Sequence, residues 1–163
     1  MHELVSPFPE HCLPQLWGWL AEFRKQMVDE HSPNSFSELL AKYHADHAGG
    51  AKSFAAFRTS NNGHRGELLG VVWGEHLGED IYSGHMVFSR DMQAWEKAEI
   101  LRKALKQWKA RKVRWMMFAD NRAYRVFLKR AGAVVEGTLH QEARRDGKFV
   151  NMLLMASFPG GAG

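Results

Sequence analysis

Apolar positions along this chain follow two different spacings, and the change from one to the other marks a change of structure. From Leu13, the residues Leu16, Trp17, Leu20, Phe23 and Met27 recur at alternating short steps that line them along one stripe of a helix, which Ser32-Pro33-Asn34 stops. Ser35 and Glu38 then have capping-box spacing, in which each side chain satisfies a free amide of the first turn. Phe36, Leu39, Leu40 and Tyr43 follow as an apolar face, predicting a second helix to about Ala48, where Gly49-Gly50 ends it. Residues 53–58 and 68–73 are aromatic or β-branched runs separated by Ser60-Asn61-Asn62-Gly63, the pattern of a hairpin, and 81–88 is a third strand. Helical spacing returns between Glu96 and Lys109 through Ile100, Leu101, Ala104, Leu105 and Trp108.

Residues 113–119 form a buried-looking strand, and Tyr124, Phe127, Leu128 and Ala131 predict a short helix from near Asn121 to Gly132. Residues 133–143 and 149–157 flank Arg144 to Lys148, where Asp146-Gly147 favours the positive φ angles of a tight turn. The predicted order is ααβββαβαββ in one α/β domain over residues 1–163, with 158–163 as a frayed tail. A chain of 163 residues can bury enough surface to fold as a single unit.

Charge and cysteine usage narrow the classes. The net charge of +4 and pI of about 9.3 suggest an anionic partner, with much of the basic charge between Lys97 and Arg130 on a solvated or anion-binding face. No run interleaves basic and stacking residues, so a nucleic-acid groove is not expected. Cys12 is the only cysteine, which excludes an internal disulfide and a thiolate-rich zinc site and fits the cytoplasm. No apolar run approaches the ~20 residues of a membrane helix, and the first residues lack a basic segment followed by an apolar one, so neither secretion nor insertion is expected.

The element order and the stretch from Trp115 to Ser157 resemble the GNAT superfamily of acyl-CoA-dependent N-acyltransferases. Asn121 to Ala133 matches the family's Asn after a strand, aromatic-bearing helix, basic residue and Gly before the next strand. Val135-Glu136-Gly137 and Arg145-Asp146-Gly147-Lys148 are similar to the final hairpin of the branch that acetylates ribosomal-protein N-termini. The resemblance implies a twisted, mostly antiparallel mixed sheet flanked by about four helices. In it two parallel strands, here 81–88 and 113–119, splay apart to admit the pantetheine arm of acetyl-CoA or another acyl-CoA as an extra strand. It assigns Val87, Phe88 and Ser89 to the cofactor side of that gap, Asn121 to the pantetheine or to a helix cap, and Lys129 to the cofactor.

The sequence departs from the family where the cofactor's pyrophosphate would lie. In place of closely spaced glycines stand Gln93, Ala94, Trp95, Glu96 and Lys97. Gln93 supplies a polar start, Ala94 is small, Trp95 is bulky, Glu96 brings negative charge, and Lys97 is a cation that helps an amide cradle survive. The family's usual Tyr proton donor is matched here by Phe127, which cannot donate, and Tyr124, one turn earlier, is the substitute or a packed aromatic of the helix stripe. For the base, His85 carries an imidazole on the strand that would present the acyl group, and Glu75 on the preceding strand is the alternative through water. Either residue also suits a plain exposed strand face.

The implied activity is transfer of an acetyl or short acyl group to a primary amine on a peptide, lysine, aminoglycoside or metabolite. The alternative is a GNAT-fold copy without catalysis, of the kind phage genomes carry, serving as a binding or assembly component. A homodimer through the terminal hairpin fits either reading. Among nine histidines, His44 and His47 beside Asp46 supply too few ligands for a tight metal site, and no metal is expected. Trp19 and Trp95, off their stripes, are candidates for an interaction surface.

Overall fold

The computed structural model describes residues 2–27, 32–59 and 65–160, with the main chain only at 23–27 and 65. Along the chain run β1 (His2–Val5), a short 3-10 turn (Glu10–Cys12), α1 (Leu13–Met27), α2 (Phe36–Ala48), β2 (Lys52–Thr59) and β3 (Arg65–Gly78). Then follow β4 (Ile81–Phe88), α3 (Ala94–Trp108), β5 (Lys112–Phe118), α4 (Arg122–Arg130), β6 (Val134–Arg145) and β7 (Lys148–Ser157). The predicted elements are all present, and β1 is added: four residues are too few to carry a period, and only pairing with β2 identifies them. The loop at 60–63 and the last three residues lie outside the described residues.

Local chemistry sets the boundaries. Ser35 Oγ accepts from Glu38 N–H at 3.2 Å, while the Glu38 carboxylate reaches one residue further than the capping box requires and accepts from Asn34 N–H at 2.7 Å. Between β6 and β7, Asp146 and Gly147 take φ of 51° and 77°, the left-handed pair that a tight hairpin demands. The Phe158 ring lies under the Lys112 ammonium, 5.7 Å from it.

Among the described residues the strands form one sheet in the order β1-β2-β3-β4-β5-β7-β6, antiparallel throughout except for β4 beside β5. Helices cover both faces. Ile100, Leu101, Leu105 and Trp108 of α3 and Leu128 of α4 pack on Val72, Tyr82, Met86 and Trp115 on one face. Leu13, Leu16 and Leu39 of α1 and α2 pack on Ala55, Val71 and Val87 on the other. No helix of the described residues is long and apolar enough to cross a membrane.

The last β4–β5 contact is a close one. A Cβ on Gly84 would lie 2.4 Å from the fully buried Trp115 ring, so only a residue without a side chain lets that indole lie against β4. Gly84→Ala is expected to destabilise the protein by about 1–3 kcal/mol through overpacking, read by calorimetry as a melting temperature lower by about 3–10 °C. An unchanged melting temperature would show that the Trp115 ring yields without cost.

Candidate active site

β4 and β5 zip together for four residues only. Ile81 pairs with Lys112, Tyr82 with Val113, Ser83 with Arg114 and Gly84 with Trp115, and there the parallel ladder stops. Beyond it each strand keeps its outer neighbour: β4 stays on β3 as far as Phe88 opposite Gly70, and β5 on β7 as far as Phe118 opposite Met152. The strands therefore open as a V whose arms are both held from outside.

The register decides which main-chain groups face the opening. Ser89 N–H donates to the Leu69 carbonyl at 2.8 Å, which fixes the alternation of the β3–β4 ladder: odd-numbered residues of β4 bond to β3 and even-numbered ones turn away. Tyr82 and Gly84 therefore serve the ladder with β5. Met86 and Phe88 come after the last β4–β5 pair, so their N–H and C=O groups point into the V. Val87 and Ser89 direct their main-chain groups to β3 instead, although the Val87 side chain does line the opening.

A cavity of about 380 Å³ occupies this region, bounded by β4 from Ser83 to Val87, by Met116, Met117 and Phe118 of β5, and by Asn121 and Tyr124. Helices α1 and α2 close it from above, and α2 brings charge. Lys42 donates to Glu75 of β3 and lies 3.2 Å from Asp46 on its own helix. Glu75 Oε1 is also 3.3 Å from His85 Nε2, a Coulombic contact without hydrogen-bond alignment. The His85 ring stacks on Trp73 with centroids 5.2 Å apart.

These contacts set the protonation states. His85 first and Lys42 second hold the Glu75 carboxyl down at about 2, against the opposing effect of its burial. Burial alone would lower Lys42, but Glu75 and Asp46 outweigh it and raise the ammonium's pKa. Burial raises Asp46, with Lys42 acting against it. Burial pushes the Tyr124 phenol well above its ordinary value, so it keeps its proton.

No protein family's sequence profile matches the chain, and no curated protein does. Solved structures do. A spermidine N-acetyltransferase from Vibrio cholerae, in complex with CoA and spermine, superposes with a TM-score of 0.76 at 15% identity, covering 98% of this chain and 96% of that one. A phosphinothricin acetyltransferase of the GNAT superfamily from Sinorhizobium meliloti, in complex with acetyl-CoA, gives 0.76 at 11% identity over 96% and 88%. The fold is the GNAT fold. At such identities the likeness is one of architecture, and its mixed sheet with one parallel pair is the sheet expected from the sequence.

Within that fold the remaining expected site residues fall in two places. Asn121 lines the cavity, and its Oδ1 also accepts from Tyr124 N–H at 3.1 Å, so it caps α4 while facing the V. Gln93 to Lys97 form the start of α3, one short loop beyond the open end of β4. There Glu96 Oε2 accepts from Gln93 N–H at 2.9 Å and Glu96 Oε1 lies 3.7 Å from His2. Trp95 is exposed, and Lys97 is half-buried with its pKa lowered by that burial. Lys129 is exposed at the far end of α4 and does not line the cavity.

Met86, Lys42 and Asp46 belong to the site but escaped sequence reasoning. Lys42 and Asp46 are one helical turn apart on α2, a spacing that marks an ion pair but not its destination. Of the histidines beside Asp46, His47 contacts the Tyr43 carbonyl at 2.7 Å and Ser53 Oγ at 2.8 Å, and His44 Nε2 lies 3.6 Å from Glu10.

A carboxyl whose folded pKa is depressed adds stability above its ordinary pKa, and that stability is lost as pH falls through the folded value. For Glu75 the window runs from about 4.5 down to about 2. Urea denaturation of the native protein should show a loss of about 1–2 kcal/mol across that window that Glu75→Gln does not show, after allowing for solvent screening. Parallel acid limbs for the two proteins would contradict the assignment.

Proposed function

We propose that the protein is an N-acyltransferase that moves an acetyl or short acyl group from an acyl-CoA thioester to a primary amine. The observation that carries this reading is the V itself: the main-chain N–H and C=O groups of Met86 and Phe88 lie past the last β4–β5 pair, and Met86 lines a cavity of about 380 Å³ there. A pantetheine arm, with two amides in an extended chain, is a ligand that completes such a ladder. The Vibrio structure holds CoA and spermine together in this fold, and the same pairing of thioester and amine is inferred here.

The reaction forms a C–N bond and breaks a C–S bond; the ammonium must lose protons to become a nucleophile, and the departing thiolate gains one. Glu75 is a strongly acidic carboxylate and therefore a weak base. Its role is to hold His85 and Lys42. His85, stacked on Trp73 and 3.3 Å from Glu75, is the base, acting directly or through water. Tyr124, protonated and lining the cavity, is the donor to the thiolate. Lys42 offsets one of the two carboxylates, Asp46 and Glu75, and the other is left for the acceptor's ammonium.

Acetyl-CoA at a hundred times its dissociation constant should stabilise the protein by about 2.7 kcal/mol, raising the melting temperature by about 5–10 °C. His85→Ala should keep that shift and lose about a hundredfold or more in kcat, and Tyr124→Phe should lose turnover in the same way. No shift at millimolar acetyl-CoA and no acylated amine product would remove the acyltransferase reading.

A further inference from the structure

The chain carries one half of the expected thioester site and contradicts the other. At the V, main-chain groups await an extended arm. At the start of α3, where the positive end of a helix would meet a diphosphate, a carboxylate of the protein is already seated. Glu96 Oε2 accepts from Gln93 N–H at 2.9 Å, one half of a capping box whose other half runs from the Glu96 N–H to the Gln93 side chain, and Oε1 lies 3.7 Å from His2 Nε2. The capping box holds the carboxylate at the head of α3, with His2 of β1 beside it. Trp95 beside it has a bulky, 61% exposed side chain where a close main-chain approach would be needed. A diphosphate brought to this position meets like charge and no glycine.

Resting on the acyltransferase reading, we propose that Glu96 is a specificity-determining residue and that the donor recognised is the acyl-pantetheine thioester arm, without a grip on the nucleotide end. Glu96 supplies from within the chain the negative charge that a nucleotide would supply from outside. The protein thereby accepts pantetheine thioesters whose far end is not adenosine diphosphate as readily as it accepts acyl-CoA.

Isothermal calorimetry on the full chain with acetyl-CoA and with S-acetyl-pantetheine tests this. The two dissociation constants should agree within about threefold, and Glu96→Gln should tighten acetyl-CoA by about fivefold while leaving S-acetyl-pantetheine unchanged. Acetyl-CoA bound more than about tenfold tighter than S-acetyl-pantetheine by the native protein would overturn the inference and leave the acyltransferase reading standing. Equal effects of Glu96→Gln on both ligands would also overturn it. Binding of neither ligand would overturn both. Because Glu96 lies on the first turn of α3, its variant's melting temperature, compared with that of Gln93→Ala, separates loss of the cap from loss of charge.

Discussion

The structure depends on a ladder that stops. β4 and β5 share four residue pairs and then diverge, while each stays bonded to its outer neighbour for the rest of its length. Main-chain amides and carbonyls cannot be left unpaired in a protein interior without a penalty, so a V lined by such groups persists only where water or a ligand can reach them. The cavity between the arms provides that access. The apex is fixed by packing: Trp115, fully buried, lies against the bare backbone of Gly84 at the last pair. Everything assigned to chemistry is arranged around this point, with His85 the first β4 residue past it and Met86 the second.

The two faces of the sheet divide the labour. On one, α3 and α4 bury a dense aromatic and aliphatic core that keeps both arms in register with their neighbours. On the other, α2 lays Lys42 and Asp46 over Glu75 and His85. Lys42 is held in its charged form by these carboxylates, and Glu75 in its ionised form by His85 and Lys42. The cluster is thus an arrangement of charges lining the cavity near the apex of the V, the setting in which electrostatic positioning of an amine and of an imidazole is strong.

Most of the fold was legible in the sequence because the signals are local. Leu13 to Leu20 and Ile100 to Trp108 carry helical spacing and Asp146-Gly147 a turn, and each resolves as read, while Ser35 caps α2 as expected and Glu38 reaches Asn34 in place of Ser35. The site was legible only in part. His85, Glu75, Tyr124 and Asn121 come together at one cavity as their positions on strands and helix suggested. Lys42 reaches Glu75 across 33 residues of sequence and brings Asp46 with it, which no local pattern encodes. Which β4 amides face the V is a matter of parity, and parity follows from the β3–β4 register, so Met86 came to light only with the ladder in hand. Glu96 stood out as a misplaced charge; its approach to His2 became visible once β1, too short to read, was seen to bring that residue beside it.

The opening between β4 and β5 can be read directly by hydrogen exchange of individual amides, followed by NMR in the free protein and with an acetyl thioester of pantetheine present. With the V as described, Val87 and Ser89 are protected throughout, whereas Met86 and Phe88 exchange rapidly in the free protein and become protected when the thioester is added. Protection of Met86 and Phe88 equal to that of Val87 before any ligand is added would mean that the two strands are zipped along their whole length, and the account would fail.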